Sequence, residues 1–201
     1  MTIAGLAQLT LRSIGAGWSY ARWEQLPEDG NRYEIIDGVL YVTTAPSNFH
    51  QWIISRLFRH VGNVLEDRGW GYAFTAPIGL LMPGCDPVQP DFVLISRANA
   101  HIIANRRIRG VPDLIAEVVS PGSVEQDART KRAAYARAGV PEYWIIRPDS
   151  RDVLVCSQPD VRLEEYTHSD LVTNTQDLTS ATLSLVVPVH SLFSGAPDET
   201  L

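Results

Sequence analysis

Cysteine is scarce in this chain. Cys85 and Cys156 are the only two in 201 residues, too few and too far apart for a disulfide framework or a zinc cluster. Basic charge is in deficit as well. With 17 Lys and Arg against 23 Asp and Glu, the formal charge of -6 excludes a protein that coats nucleic acid through bulk positive potential. A local basic cleft is compatible with that balance, because Arg106, Arg107 and Arg109 crowd one loop and Arg129, Lys131, Arg132 and Arg137 one helical segment. An ordinary solvated surface explains the same residues equally well. No apolar run approaches the roughly 20 residues that span a bilayer, and Met1 to Gly17 has no basic lead before its apolar part. Internal repeats, low-complexity linkers, zinc fingers and a helix-turn-helix with a basic face are all missing. A soluble cytoplasmic protein is expected, with residues 1–17 a disordered extension and 18–201 a single domain of ordinary size.

The patterning reads as mixed α/β. Trp18 to Leu26 is expected to form a short helix, stopped by Pro27-Glu28-Asp29-Gly30. Arg32 to Ile36 and Val39 to Thr43 are rich in β-branched and aromatic residues around Asp37-Gly38, a strong hairpin turn. Pro46-Ser47-Asn48 starts a long amphipathic helix, whose stripe of Phe49, Trp52, Ile53, Leu57, Val61, Val64 and Leu65 runs up to Gly69. An extended segment from Gly71 to Leu81, a loop from Met82 to Pro87 and a short strand from Asp91 to Ser96 follow. Arg97 to Gly110 has no clear assignment beyond loop or weak helix. Asp113 to Val119 is nearly all apolar, which predicts a strand buried on both faces and stopped by Ser120-Pro121-Gly122-Ser123. A helix from Val124 to Ala138 ends at Gly139. Pro141 to Arg147 and Asp152 to Ser157 form a strand pair, Arg162 to Thr167 extends the sheet, and Leu183 to Val189 is a last strand.

Acids placed inside the apolar runs are the informative feature. Asp91 opens Phe92-Val93-Leu94-Ile95, and Glu117 interrupts Leu114-Ile115-Ala116 and Val118-Val119. An isolated carboxylate in such a setting costs several kcal/mol unless it is neutralised, hydrogen-bonded or bound to a cation. Two brought side by side repel, and a hard divalent cation with oxygen ligands resolves the conflict. Glu34 lies in an apolar hairpin strand, and Asp127, Lys131 and Tyr135, spaced by four, share one helix face. Glu34, Asp91, Glu117 and Lys131 thus offer three oxygen-bearing ligands and one ammonium. That set suits hydrolysis of a phosphodiester, with Mg2+ or Mn2+ held by the carboxylates and the ammonium stabilising negative charge on oxygen.

Arg32-Tyr33-Glu34-Ile35-Ile36-Asp37-Gly38, Pro46 with His50, Pro90-Asp91, Pro112 to Pro121 around Glu117, Asp127 with Lys131 and Tyr135, and Gly139 to Ile146 form an ordered set. In these segments the chain resembles the PD-(D/E)XK nuclease superfamily and, within it, a large bacterial family of restriction endonucleases. The resemblance runs from about Trp23 to Phe193. It implies a restriction-endonuclease-like core, a mixed central β-sheet flanked by helices with an N-terminal β-hairpin. It further implies a divalent-metal nuclease acting on DNA, with Asp91 the first acid and Glu117 the second. One position departs from the pattern: the superfamily places Lys two residues beyond the second acid, where this chain has Val119. Lys131 is the candidate for a migrated lysine. A catalytically inactive module that binds DNA or a protein partner, and a metal phosphoesterase acting on RNA or nucleotides, are the alternatives. A homodimer would match two symmetric sites to the two strands of a duplex.

Each residue also has a plainer role. Asp91 can pair with a nearby arginine, Glu117 can sit in a buried ion pair, Glu34 can partner Arg32, and Lys131 can pair with Asp127 along the helix. His50 serves equally as a helix-start histidine or as a group that positions water or phosphate. Asp127 can orient Lys131 or cap its helix. Tyr135, Tyr143 and Trp144 read first as core. His60, His101, His168 and His190 have no ligand spacing, and Asp113 reads as a turn residue.

Overall fold

The computed structural model describes residues 10–120 and 126–197. Strand β1 (Thr10–Arg12) and the short helix α1 (Tyr20–Trp23) precede the hairpin of β2 (Arg32–Ile36) and β3 (Val39–Thr43). Asp37 and Gly38 both have positive φ, 53° and 71°, the conformation that lets a two-residue turn follow the twist of its strands. Helix α2 (Asn48–Leu57) starts where Ser47 Oγ accepts the His50 amide at 3.2 Å, and it continues through a π-helical stretch, Phe58–Gly62, into α3 (Asn63–Asp67). Next come β4 (Gly71–Thr75), β5 (Leu80–Met82), β6 (Cys85–Val88), β7 (Phe92–Ser96), a 3-10 turn at Arg97–Ile102, β8 (Ile108–Arg109) and β9 (Leu114–Val118). A π-helical stretch, Gln126–Lys131, leads into α4 (Arg132–Ala138), closed by Gly139 at φ 81°. The chain finishes with β10 (Glu142–Arg147), β11 (Asp152–Asp160), β12 (Glu165–Val172), the hairpin β13 (Asp177–Ser180) and β14 (Leu185–Pro188), and α5 (His190–Phe193).

Two six-stranded sheets organise these elements, in the orders β1-β3-β2-β6-β5-β8 and β12-β11-β10-β9-β7-β4. The second is mixed: β9 and β10 run parallel, while its other pairs are antiparallel. Its central strand β9 is buried along its whole length, as its unbroken apolar pattern requires. Alternate residues of this sheet feed two cores. Phe92, Leu94, Leu114, Ala116, Val118, Trp144 and Ile146 pack toward α2, α3, α5 and the β13–β14 hairpin. Val93, Ile95, Ile115, Tyr143 and Ile145 pack toward the first sheet and α4. The mixed α/β architecture with a helix-flanked mixed sheet is therefore the observed one. Among the described residues, no helix is long and apolar enough to cross a membrane.

Several elements differ from their sequence reading. Thr10–Arg12, within the expected extension, pairs with β3, while residues 1–9 lie outside the described residues. The helix expected over Trp18 to Leu26 shrinks to the four residues of α1. The Met82 to Pro87 loop is a tight turn into β6, and the unassigned Arg-bearing stretch holds a 3-10 turn and β8. The N-terminal hairpin is the middle of a larger sheet. The strand expected over Arg162 to Thr167 is displaced to β12, Glu165–Val172, whose residues are largely exposed and give little apolar pattern, and β13, for which no strand was expected, pairs with β14. The stop at Pro121-Gly122-Ser123 and the helix start at Val124 lie outside the described residues.

Packing leaves no space for a side chain at Gly71, where a Cβ would stand 2.2 Å from the Ile95 carbonyl oxygen. Gly71→Ala is expected to lower stability by about 1–3 kcal/mol, because the β4–β7 pair must open to admit it. Equilibrium urea unfolding measures this, and unchanged stability would show that the two strands are not so closely apposed.

Candidate active site

Strand alternation brings the acids to one layer. Glu117 shares a face with Ile115, Asp91 with Val93 and Ile95, and Glu34 with Ile36, all of them facing the seam between the two sheets and α4. In the antiparallel β7–β9 pair Phe92 opposes Ala116, so Asp91 falls beside Glu117. The Asp91 amide donates to Glu117 Oε2 at 3.3 Å, and the Val118 amide donates to Asp91 Oδ2 at 2.8 Å. Glu34, Asp91, Glu117 and Lys131 are each only 1% exposed.

Lys131 Nζ is 2.8 Å from Glu117 Oε1 and 3.1 Å from Glu34 Oε2, so one ammonium bridges two carboxylates from different sheets. One turn further along, Tyr135 OH donates to the same Glu117 Oε1 at 2.9 Å. Glu34 Oε1 accepts the Gln89 amide at 2.8 Å. On the other flank, Arg32 Nη1 donates to Asp91 Oδ1 and, at 3.2 Å, to the Gln89 carbonyl. His50 Nε2, from the first turn of α2, lies 3.1 Å from Asp91 Oδ2.

Within this group three carboxylates face two permanent cations, and the titration behaviour follows. Burial pushes the Asp91 carboxyl up, but the Arg32 guanidinium, and after it His50 and Lys131, outweigh burial and hold the group well below the usual carboxylate range. Burial opposes the charge on Arg32 too, yet Asp91, Glu34 and Glu117 together bind its proton more firmly than usual. For Tyr135, burial and then the charges of Glu117 and Glu34 push the phenol well above its ordinary value, so it remains a donor. Cys85, buried in the same layer, has its thiol pushed up to about 12 by burial and is a core residue, not a nucleophile.

A cation can be tested against this donor set. Among the described residues, no group of three or more His, Cys, Asp and Glu side chains is arranged to hold a metal ion. Mg2+ does not need such a cage: it keeps several waters and binds through one or two carboxylates together with substrate phosphate oxygens. Asp91 and Glu117, all-oxygen donors on neighbouring strands, fit that requirement. Glu34, expected as a supporting ligand, lies beside them and is held by Lys131 and the Gln89 amide.

Of the residues singled out from sequence, Glu34, Asp91, Glu117, Lys131, Tyr135 and His50 converge. The Asp127 side chain lies outside the described residues. Sequence reasoning gave Arg32 no site role beyond pairing with Glu34. The signal was present: Arg32 and Glu34 are two apart on β2 and share its inner face. Asp113 has a structural task, with its Oδ2 accepting the Ser96 amide and the Asn99 side chain.

Because the Asp91 carboxyl is depressed in the folded state, its ion pair stabilises fully above the unfolded value of about 3.9 and is lost as pH falls toward the folded value. Arg32→Met leaves a buried carboxylate poorly compensated and is expected to cost about 3–5 kcal/mol near neutral pH. At about pH 4 the cost shrinks, since Asp91 in the variant takes up a proton that the native carboxyl refuses. Urea unfolding at both pH values checks this, and an equal cost at the two would contradict the pairing.

A crystal structure from Anabaena variabilis ATCC 29413, described as that of "a putative nuclease belonging to DUF820", is similar in fold. The TM-score is 0.73 over 88% of this chain and 97% of that chain, at 18% identity, which is a likeness of fold alone. No curated protein sequence matches. A family model does match, over residues 19–188, and on that span the chain belongs to the Uma2 family, described as "Putative restriction endonuclease".

Proposed function

We propose that this Uma2 protein is a divalent-metal-dependent endodeoxyribonuclease that hydrolyses DNA phosphodiesters with Mg2+ or Mn2+. The observation that carries the reading is the convergence of Asp91, Glu117, Glu34 and Lys131, each almost wholly buried, on one seam between the sheets. Asp91 and Glu117 would hold the ion, which when bound would supply Lewis acidity and charge neutralisation at the phosphate. Lys131 Nζ presents a fixed positive charge to the phosphate oxygens as negative charge builds on them. Glu34 holds Lys131 in place from the opposite sheet. Tyr135 OH and the Asp91 amide orient Glu117, while His50 and Arg32 orient Asp91. Lys131 thereby takes the part that Val119 cannot play, and the reading extends to a single nuclease domain over 18–201, working in the cytoplasm as a homodimer with one site for each strand.

Supercoiled plasmid tests this directly. Cleavage is expected with Mg2+ or Mn2+, abolished by chelator, and reduced at least about 100-fold by Asp91→Ala, Glu117→Ala or Lys131→Ala. Cleavage that survives these substitutions would belong to another site. A second reading is supported by the closure of the pocket, where Arg32, His50 and the Val118 amide already occupy both oxygens of Asp91. In that reading the cluster is a structural charge network in a module that binds DNA and does not cut it. Binding without product under every divalent ion would favour it.

A further inference from the structure

The structure points to a second, unassigned surface beside this seam. We infer that α1 and the loop before β8 form a grip for the DNA backbone that flanks the scissile bond; the position of that bond rests on the nuclease reading above, while the grip itself does not.

Helix α1 contributes no buried residue, so the aromatics in and beside it are not there to fill a core. They carry arginines instead. The Tyr20 and Trp23 rings stack at 5.9 Å with an interplanar angle of 20°. The Arg107 guanidinium sits 4.9 Å from the Trp23 ring centre, that of Arg109 is 5.9 Å from Tyr20, and that of Arg22 is 4.1 Å from Trp18. Gly79 makes room for the Arg107 stem, since a Cβ there would stand 2.5 Å from Arg107 Cδ. An open cavity of about 310 Å3 is lined by Tyr20 and Glu24 of this segment and by Arg106, Arg107 and Arg109 of the loop and β8. Glu24 is taken up by the Tyr20 hydroxyl at 2.6 Å. Along the cavity Arg106, Arg107 and Arg109 against Glu24 leave a local excess of two positive charges on a chain whose formal charge is -6.

Rings that hold guanidinium planes in place reduce the entropy lost when the N–H edges bind, and those edges match phosphate oxygens in pairs. On an acidic protein such a patch acts only where it is placed, and the register places it. Ile108 pairs with Leu80, and Leu80 with Val88, so Arg107 and Gln89 lie at the same end of the first sheet, about two strand spacings or 10 Å apart. Gln89 is the residue whose amide and carbonyl bind Glu34 and Arg32. Trp23 Nε1 donates at 2.7 Å to the carbonyl of Tyr33, which stands between Arg32 and Glu34 on β2. A phosphodiester strand entering the seam therefore passes the arginines.

The test is the salt dependence of binding to a labelled duplex, measured by fluorescence anisotropy in chelator so that no turnover intervenes. For the combined variant Arg106→Ala, Arg107→Ala and Arg109→Ala, affinity at low salt is expected to fall at least about tenfold. The slope of log affinity against log salt should shrink by about two to three, the counterions released by three phosphate contacts. Arg109→Glu, a single change at an exposed position, should weaken binding in the same direction, and thermal melting of both variants establishes that they fold. Unchanged affinity and slope in folded variants would overturn the grip while leaving cleavage by the native protein to support the nuclease reading. Loss of binding in the variants, with no cleavage by the native protein, would support the grip and sink the nuclease. Absence of duplex binding by the native protein even at low salt would overturn the grip.

Discussion

Three carboxylates withdrawn from water between two sheets have to be balanced, and the site is built around how this is done. Removing an ion from water costs several kcal/mol even after the surroundings relax, so each acid needs charge-assisted partners of its own. Arg32 answers Asp91, and Lys131 answers Glu117 and Glu34 together. Backbone amides of Asp91, Val118 and Gln89 take up further lone pairs. The result is a buried cluster of three carboxylates whose balancing cations come from side chains. On the proposed nuclease reading, a divalent ion at Asp91 and Glu117 would replace part of the charge that Arg32 supplies to Asp91.

Topology makes this balance possible. Glu117 sits on β9 and Asp91 immediately before the adjacent antiparallel β7, and Glu34 reaches them only because the N-terminal hairpin belongs to a second sheet packed face to face on the first. The helix after β9 then lays Lys131 and Tyr135, one turn apart, over Glu117. From the other layer, the Ser47 cap fixes the first turn of α2 and with it His50. Residues from five separate stretches of chain thus meet without any one of them forming a local motif.

Much of this was legible in the sequence where a single strong physical demand fixed the outcome. The Asp37-Gly38 turn, the strands flanking it, the Ser47 helix start and the fully buried β9 follow from turn chemistry, capping and unbroken apolarity. Asp91 and Glu117 stood out because charge inside apolar runs requires an explanation. Arg32 was harder to see, since it lies at the start of a strand where an arginine is unremarkable, and its partner is 59 residues away in the chain. The contact of Glu34 with Lys131 depends on how two sheets stack, which no local pattern encodes. The short strands β6 and β8 escaped notice because Cys85–Val88 contains a proline and Ile108–Arg109 is only two residues long.

In the proposed nuclease Asp91 and Glu117 would form a cation site that protein charges balance when no ion is bound. Crystals soaked in Mn2+ and measured for anomalous scattering would test it most directly. The account predicts one strong peak between the Asp91 and Glu117 carboxylates, with Arg32 displaced from Asp91 and Lys131 still within reach of Glu117. Saturating Mn2+ with no peak there, and the Arg32–Asp91 pair intact, would contradict it.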